Sequence, residues 1–71
     1  MPKNKGILPK ANVERLMKRA GVLRVSNSAV EEMTDFLTKQ GFEIARKAVE
    51  ITKHSGRRTV LARDIKLAFK F

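Results

Sequence analysis

The 71-residue sequence lacks cysteine, tryptophan and tyrosine, and it contains a single histidine, His54. Without cysteine, neither a disulfide bond nor a thiolate zinc site can hold the fold together. A chain this short seldom buries enough apolar surface to be stable alone, so association with another subunit is the remaining route to stability. The lack of cysteine also fits a reducing compartment.

The sequence offers little to an enzyme or to a membrane. It has no cysteine nucleophile, one histidine and no glycine-rich phosphate loop, so we predict no catalytic residues, no cofactor and no metal site. No apolar stretch approaches the roughly 20 residues that span a bilayer. Residues 1–6 lack the apolar region of a secretory signal. We therefore expect a cytoplasmic protein with no membrane contact.

Positive charge is what the sequence has in excess. Sixteen lysines and arginines outnumber seven aspartates and glutamates, which gives a net charge of +9. Residues 1–24 and 53–71 carry net charges of +6 and +5, whereas residues 25–52 carry −2. Basic flanks around a mildly acidic middle indicate a scaffold that presents cations to a polyanion.

Hydrophobic periodicity predicts three helices after a flexible basic tail of residues 1–7. Pro9 suits the first helical turn, and Gly21 sits where the first helix would stop. The predicted helices cover residues 9–20, 27–54 and 62–70.

Polar residues mark the start of the long helix. Ser26, Asn27 and Ser28 all favour the N-cap position, and Ser28 and Glu31 have the spacing of a capping box. The backbone N–H groups at this helix end could instead hold a phosphate. Capping and phosphate binding explain Ser26 equally well.

The long helix has apolar residues around much of its circumference. Its heptad-spaced residues are Val30, Leu37, Ile44 and Ile51. Two short helices can cover only part of such a surface, so we expect a second copy to cover the rest. Gly41 lies near the midpoint, where it weakens the helix by about 1 kcal/mol relative to alanine. Close approach of a second helix and neutral drift at an exposed position explain it equally well.

Together these segments resemble the archaeal histones and, more loosely, the eukaryotic core histones. The resemblance runs from about Leu8 to Phe71 and rests on RLMKRAGVLRVSNSAV, QGFEIARKAVEITKHSGRRT and VLARDIKLAF. The spacing Arg57-x-Thr59-x4-Asp64 looks like the family's signature for the second loop and last helix. The resemblance implies an all-α histone fold over residues 8–71, which forms an antiparallel handshake dimer.

The resemblance also implies non-sequence-specific binding of double-stranded DNA and its compaction in the nucleoid, by wrapping or by bridging. Arg24 matches a loop arginine that enters the minor groove, and Thr59 matches the partner-subunit threonine that orients it. Arg58 matches a phosphate contact. Judged without the resemblance, Arg24 is better explained as an ordinary solvated loop charge. The expected DNA-binding residues are Lys10, Arg15, Lys18, Arg19, Arg24, Ser26, Arg58 and Thr59.

Other matched positions are structural. Arg57 and Asp64 match an intrachain ion pair that braces the second loop. Ile51, His54 and Leu67 match positions where two dimers meet, which implies tetramers or larger assemblies, with other histones as further partners. His54 is equally explained as a histidine that interacts with the helix dipole.

The sequence departs from the family pattern at two positions near the start of the last helix, and two other functions remain as alternatives. Leu61 and Arg63 stand where a lysine and an acidic residue are expected, which puts the stacking of dimers in question. A histone-fold subunit of a heteromeric complex would associate with a different chain. A helix-turn-helix regulator would prefer one DNA site, but its recognition helix is usually short and polar on one face.

Overall fold

The computed structural model of the chain describes residues 7–21 and 24–70. These residues form three helices and no strand: α1 (Lys10–Arg19), α2 (Asn27–His54) and α3 (Ala62–Lys70). The predicted all-helical class, with a short, a long and a short helix, is confirmed. Most of the predicted tail, part of the first loop, and the last residue lie outside the described residues, namely residues 1–6, 22, 23 and 71.

The chain divides into two compact units, residues 1–39 and 40–71, with the boundary inside α2. The N-terminal unit contains α1 and the first part of α2. The C-terminal unit contains the rest of α2 and α3. We name residues 20–26 loop 1 and residues 55–61 loop 2.

Two residues with non-helical backbone conformations, Pro9 and Gly21, set the ends of α1. Pro9 has φ −64° and ψ 123° and is the N-cap residue, so α1 begins at Lys10, one residue after the predicted start. Its carbonyl oxygen accepts hydrogen bonds from the N–H groups of Asn12 and Val13 at 3.1 and 3.2 Å. Gly21 follows the helix with φ +116°, a conformation that side chains with a Cβ rarely adopt.

Ser26 is the N-cap of α2. Its Oγ accepts a hydrogen bond from the backbone N–H of Ala29 at 3.1 Å. The capping box expected from Ser28 and Glu31 is wrong, because Ser28 already lies inside the helix. The Glu31 carboxylate lies instead 3.2 Å from the ammonium nitrogen of Lys10.

α2 ends in a hydrogen-bonded turn centred on a glycine. Gly56 has φ +73°, and its N–H donates to the carbonyl oxygen of Lys53 at 3.0 Å. The N–H of Arg57 donates to the carbonyl oxygen of Thr52 at 3.1 Å. This pair of bonds is a Schellman motif, which satisfies the last carbonyl groups of a helix. It also fixes the backbone of Arg57 against the end of α2.

Each unit buries only a small core. The N-terminal unit buries Val13 of α1 with Val30 and Thr34 of α2, and the Thr34 hydroxyl donates to the Val30 carbonyl oxygen at 2.7 Å. The C-terminal unit buries Ala48 and Ala68.

Many large apolar side chains remain on the surface. Leu16 and Phe36 of the N-terminal unit are 54% and 57% exposed, and Phe69 of the C-terminal unit is 75% exposed. Among the described residues, no large side chain is fully buried. A single chain therefore leaves several large apolar side chains in water, which is the usual reason for a small domain to associate.

Candidate nucleic-acid interface

The candidate residues fall into two groups. Six belong to the N-terminal unit and two to loop 2 of the C-terminal unit. In the order of the chain they are Lys10, Arg15, Lys18, Arg19, Arg24, Ser26, Arg58 and Thr59, and all are exposed.

Three cations share the outer face of α1. At about 100° per residue, Arg15, Lys18 and Arg19 fall within an arc of about 100°. This arc lies opposite Val13, the buried residue of α1. Because packing fixes the apolar face, the basic face must point away from α2 within the N-terminal unit.

Two of the candidate lysines lie beside carboxylates. Lys18 Nζ is 3.0 Å from Glu14 Oε2, one helical turn earlier. Lys10 Nζ is 3.2 Å from Glu31 Oε1 of α2. The four side chains are between 43% and 61% exposed, and exposed pairs of this kind contribute at most about 1 kcal/mol. Exchange of these carboxylates for a phosphate therefore costs little.

Loop 1 presents one arginine with no partner among the described residues. Arg24 precedes α2 and its side chain is exposed. Ser26, two residues later, uses its Oγ to accept the Ala29 N–H. N-capping accounts for the Ser26 side chain. An anion at this position would therefore bind to the free backbone N–H groups of the first turn of α2 rather than to the Ser26 hydroxyl.

Loop 2 presents two exposed side chains on a fixed backbone. The carbonyl oxygen of Thr59 accepts a hydrogen bond from Arg57 Nη1 at 3.1 Å. The side chains of Arg58 and Thr59 have no hydrogen bond within residues 7–21 and 24–70. Both are available to a ligand, while the backbone that carries them is anchored.

An ion pair anchors loop 2. Arg57 Nη1 and Nη2 donate to Asp64 Oδ2 and Oδ1 at 2.9 and 2.8 Å, which is a bidentate arrangement. Asp64 is 2% exposed. Its Oδ2 also accepts the backbone N–H of Leu61 at 2.8 Å and lies 3.0 Å from the Thr52 hydroxyl. One carboxylate thus ties loop 2 to the end of α2 and to the start of α3.

These hydrogen bonds set the charge of both partners. The bonds from Arg57, and then the bond from the Leu61 N–H, hold the pKa of the Asp64 carboxyl well below its usual range. The hydrogen bond to Asp64 raises the pKa of Arg57.

The sequence analysis did not include Thr52 among the candidate residues, although its hydroxyl contacts Asp64. The sequence hints at such a role only in that Thr52 is a polar residue within the apolar stripe of α2.

The residues expected at contacts between copies lie at the surface or near it. His54 and Leu67 are exposed, and Ile51 is half-buried. A Cβ added at Gly41 would meet nothing within 4 Å. Within residues 7–21 and 24–70, therefore, nothing requires a glycine at position 41.

The described residues show no sign of a metal centre or a membrane segment. Within residues 7–21 and 24–70, no three histidine, aspartate or glutamate side chains gather in a way that suits a metal ion. In the same part of the chain, no helix combines the length and the apolar character needed to cross a bilayer.

Comparison with known proteins identifies the family. The model of histone-like transcription factors (CBF/NF-Y) and archaeal histones matches residues 7–69. The chain belongs to this family. One subunit of the archaeal histone HAN1 from Thermococcus zilligii is 41% identical over 63 residues, which are 89% of this chain and 94% of that protein. The probable archaeal histone 3 of Methanocaldococcus jannaschii matches with the same identity and coverage.

A eukaryotic histone is also among the relatives. Histone H4 of Dictyostelium discoideum is 38% identical over 63 residues, which are 89% of this chain and 58% of that protein. The predicted membership in the histone-fold family is confirmed, and all three helices lie in the matched region apart from the last residue of α3. The family comprises histones and histone-like transcription factors, and neither is a class of enzyme.

Proposed function

We propose that the chain binds double-stranded DNA without sequence specificity, as a dimer of histone folds, and compacts it in the nucleoid. The observation that carries this proposal is the set of exposed cations on α1 and in both loops of a chain that belongs to the histone family. These side chains neutralise phosphates, so binding is driven largely by the release of counterions.

The exposed apolar surface supports a dimer. Leu16, Phe36 and Phe69 are each more than half exposed, and a second copy that covers them would complete the core that one chain lacks. The partner is a second copy of this chain or another histone. Dimers meet through Ile51, His54 and Leu67 to form tetramers or longer assemblies.

The two loops have distinct tasks in this proposal. Arg24 of loop 1 enters the minor groove, where the negative potential favours a weakly hydrated guanidinium group. Thr59 of the partner subunit's loop 2 orients that arginine. Arg58 and Arg15 contact phosphates, and Arg57 with Asp64 keeps the backbone of loop 2 in place.

Replacement of the loop 1 arginine tests backbone recognition. Arg24→Ala should weaken binding to unrelated duplexes by a similar factor and reduce the slope of log affinity against log salt by about 1 per chain. Gel shifts over a salt series measure both quantities. Lys39→Ala, an exposed α2 residue outside the candidate set, serves as the control and should change neither. A loss confined to one DNA sequence would contradict backbone recognition.

Replacement of the central glycine tests the dimer. Gly41→Leu meets open space within the chain and should strengthen α2 by about 1 kcal/mol. If two long helices cross at this position, the new side chain should nevertheless impair dimerisation, as light scattering would show. Gln40→Leu adds the same side chain at the neighbouring exposed position and should leave the dimer intact. A normal Gly41→Leu dimer would place the crossing elsewhere.

Nuclease digestion of a long duplex saturated with protein tests compaction. A regular ladder of fragments is the expected result, because dimers that wrap DNA protect it in repeated units. Protection without a ladder would indicate bridging or coating, and no protection would contradict the proposal.

A heteromeric interaction subunit is the second candidate function. It is favoured by the family description, which includes histone-like transcription factors as well as archaeal histones. The exposed apolar faces would then fit a different chain. A purified chain that fails to associate with itself, and that folds only with a partner, would favour this function.

A further inference from the structure

Three cations of α3 have no place in the site described above. Arg63, Lys66 and Lys70 are all exposed. Within residues 7–21 and 24–70, no carboxylate lies at ion-pair distance from any of them. Arg46 of α2, in contrast, lies 3.2 Å from a carboxylate oxygen of each of two flanking glutamates. We name Arg63, Lys66 and Lys70 the α3 basic stripe.

The stripe points away from α2 within the C-terminal unit. At about 100° per residue, its three residues fall within an arc of about 60°. Asp64 and Ala68, the buried residues of α3, lie roughly 150° away around the helix axis. Packing of α3 therefore leaves the stripe in solvent.

Apolar side chains flank the stripe on both sides. Ile65 and Phe69, on one flank, line an apolar groove with Ile44, and the stripe residues Lys66 and Lys70 also line it. Leu67, on the other flank, is 43% exposed. A protein partner that covers these apolar flanks would pack against the apolar stems of Lys66 and Lys70 and leave their ammonium groups at the surface of the assembly.

The positions of these three cations on α3 destabilise the helix. Arg63 is the second residue of α3, at the positive end of the helix dipole, where a cation is destabilising. Lys66 lies three residues after Arg63 and four before Lys70, and like charges at these spacings also destabilise a helix. An anion outside the chain would offset both effects.

We propose that the α3 basic stripe binds the phosphate backbone of a second DNA duplex, so that one assembly ties two duplexes together. This inference rests on the proposed function, in which α1 and the loops hold the first duplex. The stripe spans about 10.5 Å of helix axis, and each DNA strand carries a charge every ~3.4 Å. Arginine and lysine are among the side chains that contact phosphate oxygens in protein–DNA complexes.

The test separates binding of one duplex from capture of a second. A duplex fixed to beads is saturated with protein and washed, and a labelled second duplex is then added. A short free duplex is titrated in parallel by gel shift. The stripe variant Arg63→Gln/Lys66→Gln/Lys70→Gln is compared with Lys39→Gln/Arg46→Gln/Lys47→Gln, which removes the same formal charge from α2.

The wild type and the α2 variant should both capture the second duplex. The stripe variant should capture about tenfold less, because each lost phosphate contact lowers affinity, while its affinity for one duplex stays within about twofold of wild type. Its Tm should not fall, since an unfavourable helix-dipole interaction is removed. This stability distinguishes loss of a contact from loss of the fold.

Other outcomes would overturn the inference. An equal loss in both assays would mean that the stripe contacts the first duplex. A stripe variant that shows no loss in either assay would mean that the stripe is a solvated face. A wild type that binds one duplex but captures no second duplex would mean that the protein has no second DNA site. A wild type that binds no duplex at all would instead overturn the proposed function.

Discussion

The two units of the chain use ion pairs in different ways. The pairs described in the N-terminal unit, Lys10–Glu31 and Lys18–Glu14, are exposed. The C-terminal unit also has exposed pairs, of Arg46 with Glu43 and Glu50, but it contains in addition a pair whose carboxylate, Asp64, is buried and accepts further hydrogen bonds. Exposed pairs contribute little and can be exchanged for phosphate, whereas a buried pair that loses one partner leaves a charge without compensation. Burial therefore decides whether a cation serves the fold or is available to DNA.

The same contrast separates the two loop arginines. Arg57 donates to Asp64 and to the Thr59 carbonyl oxygen, so its charge is committed within the chain. Arg24 has no such partner among the described residues. The first arginine shapes a loop, and the second is left for a ligand.

Removal of the buried carboxylate should have the largest effect on stability. Asp64→Asn leaves Arg57 without its counter-charge and should lower the Tm by roughly 10 °C or more. Circular dichroism at one fixed protein concentration measures this, because the Tm of an associating protein depends on concentration. Glu31→Gln, which removes an exposed partner, is the control. Equal losses in the two variants would erase the distinction between the units.

Acid should lower the free energy of unfolding of the wild type by an amount that the Asp64→Asn variant does not lose. The pKa of Asp64 lies well below its usual range in the folded chain, so the unfolded chain binds this proton at a higher pH. The stabilisation is present above the ordinary aspartate pKa of about 4 and is lost as the pH falls toward the lower folded pKa. Urea unfolding from pH 7 to pH 2 should show the two proteins converging below about pH 4. A constant difference at all pH values would contradict this assignment.

Loss of the α2 cap should have an intermediate effect. Ser26→Ala removes the acceptor of the Ala29 N–H and should cost about 1 kcal/mol in the free energy of unfolding. Ser28→Ala, inside the helix, should cost less. If capping is the whole role of Ser26, the salt dependence of DNA binding should not change. A flatter salt slope in the Ser26 variant would assign the hydroxyl to phosphate as well.

The exposed pair between α1 and α2 should matter least for stability and more for DNA. Lys10→Gln should change the free energy of unfolding by less than about 1 kcal/mol and reduce the salt slope of DNA binding by about 1 per chain. Glu31→Gln should strengthen DNA binding, because it releases the Lys10 ammonium. If neither variant alters DNA affinity, Lys10 does not belong to the interface.

Local signals in the sequence predicted the helices well. The bounds of α2 and α3 are those predicted, and α1 differs by one residue at each end, since apolar periodicity, capping residues and glycines mark these ends. The capping box failed because Ser26 and Ser28 are both competent caps and only one can begin the helix. The Lys10–Glu31 pair joins residues 21 positions apart, and no local pattern predicts such a contact.

The candidate site was predictable to a lesser degree. The spacing of Arg57 and Asp64 in a family pattern pointed to their pairing, and the structure contains that pair. The contribution of the Thr52 hydroxyl depends on how α2 and loop 2 meet in space, which the sequence pattern does not specify. The DNA contacts stay predictions, because exposure makes a cation available without assigning its ligand.

The bracing of loop 2 has a consequence for the order of assembly. The contacts of Asp64 span 3, 7 and 12 residues, to Leu61, Arg57 and Thr52. Closing loops this short costs little chain entropy, and contacts of low sequence separation form fast. Encounter with a second chain, in contrast, slows as the protein is diluted. We therefore expect loop 2 to reach its final conformation within the single chain, before that chain associates with a partner.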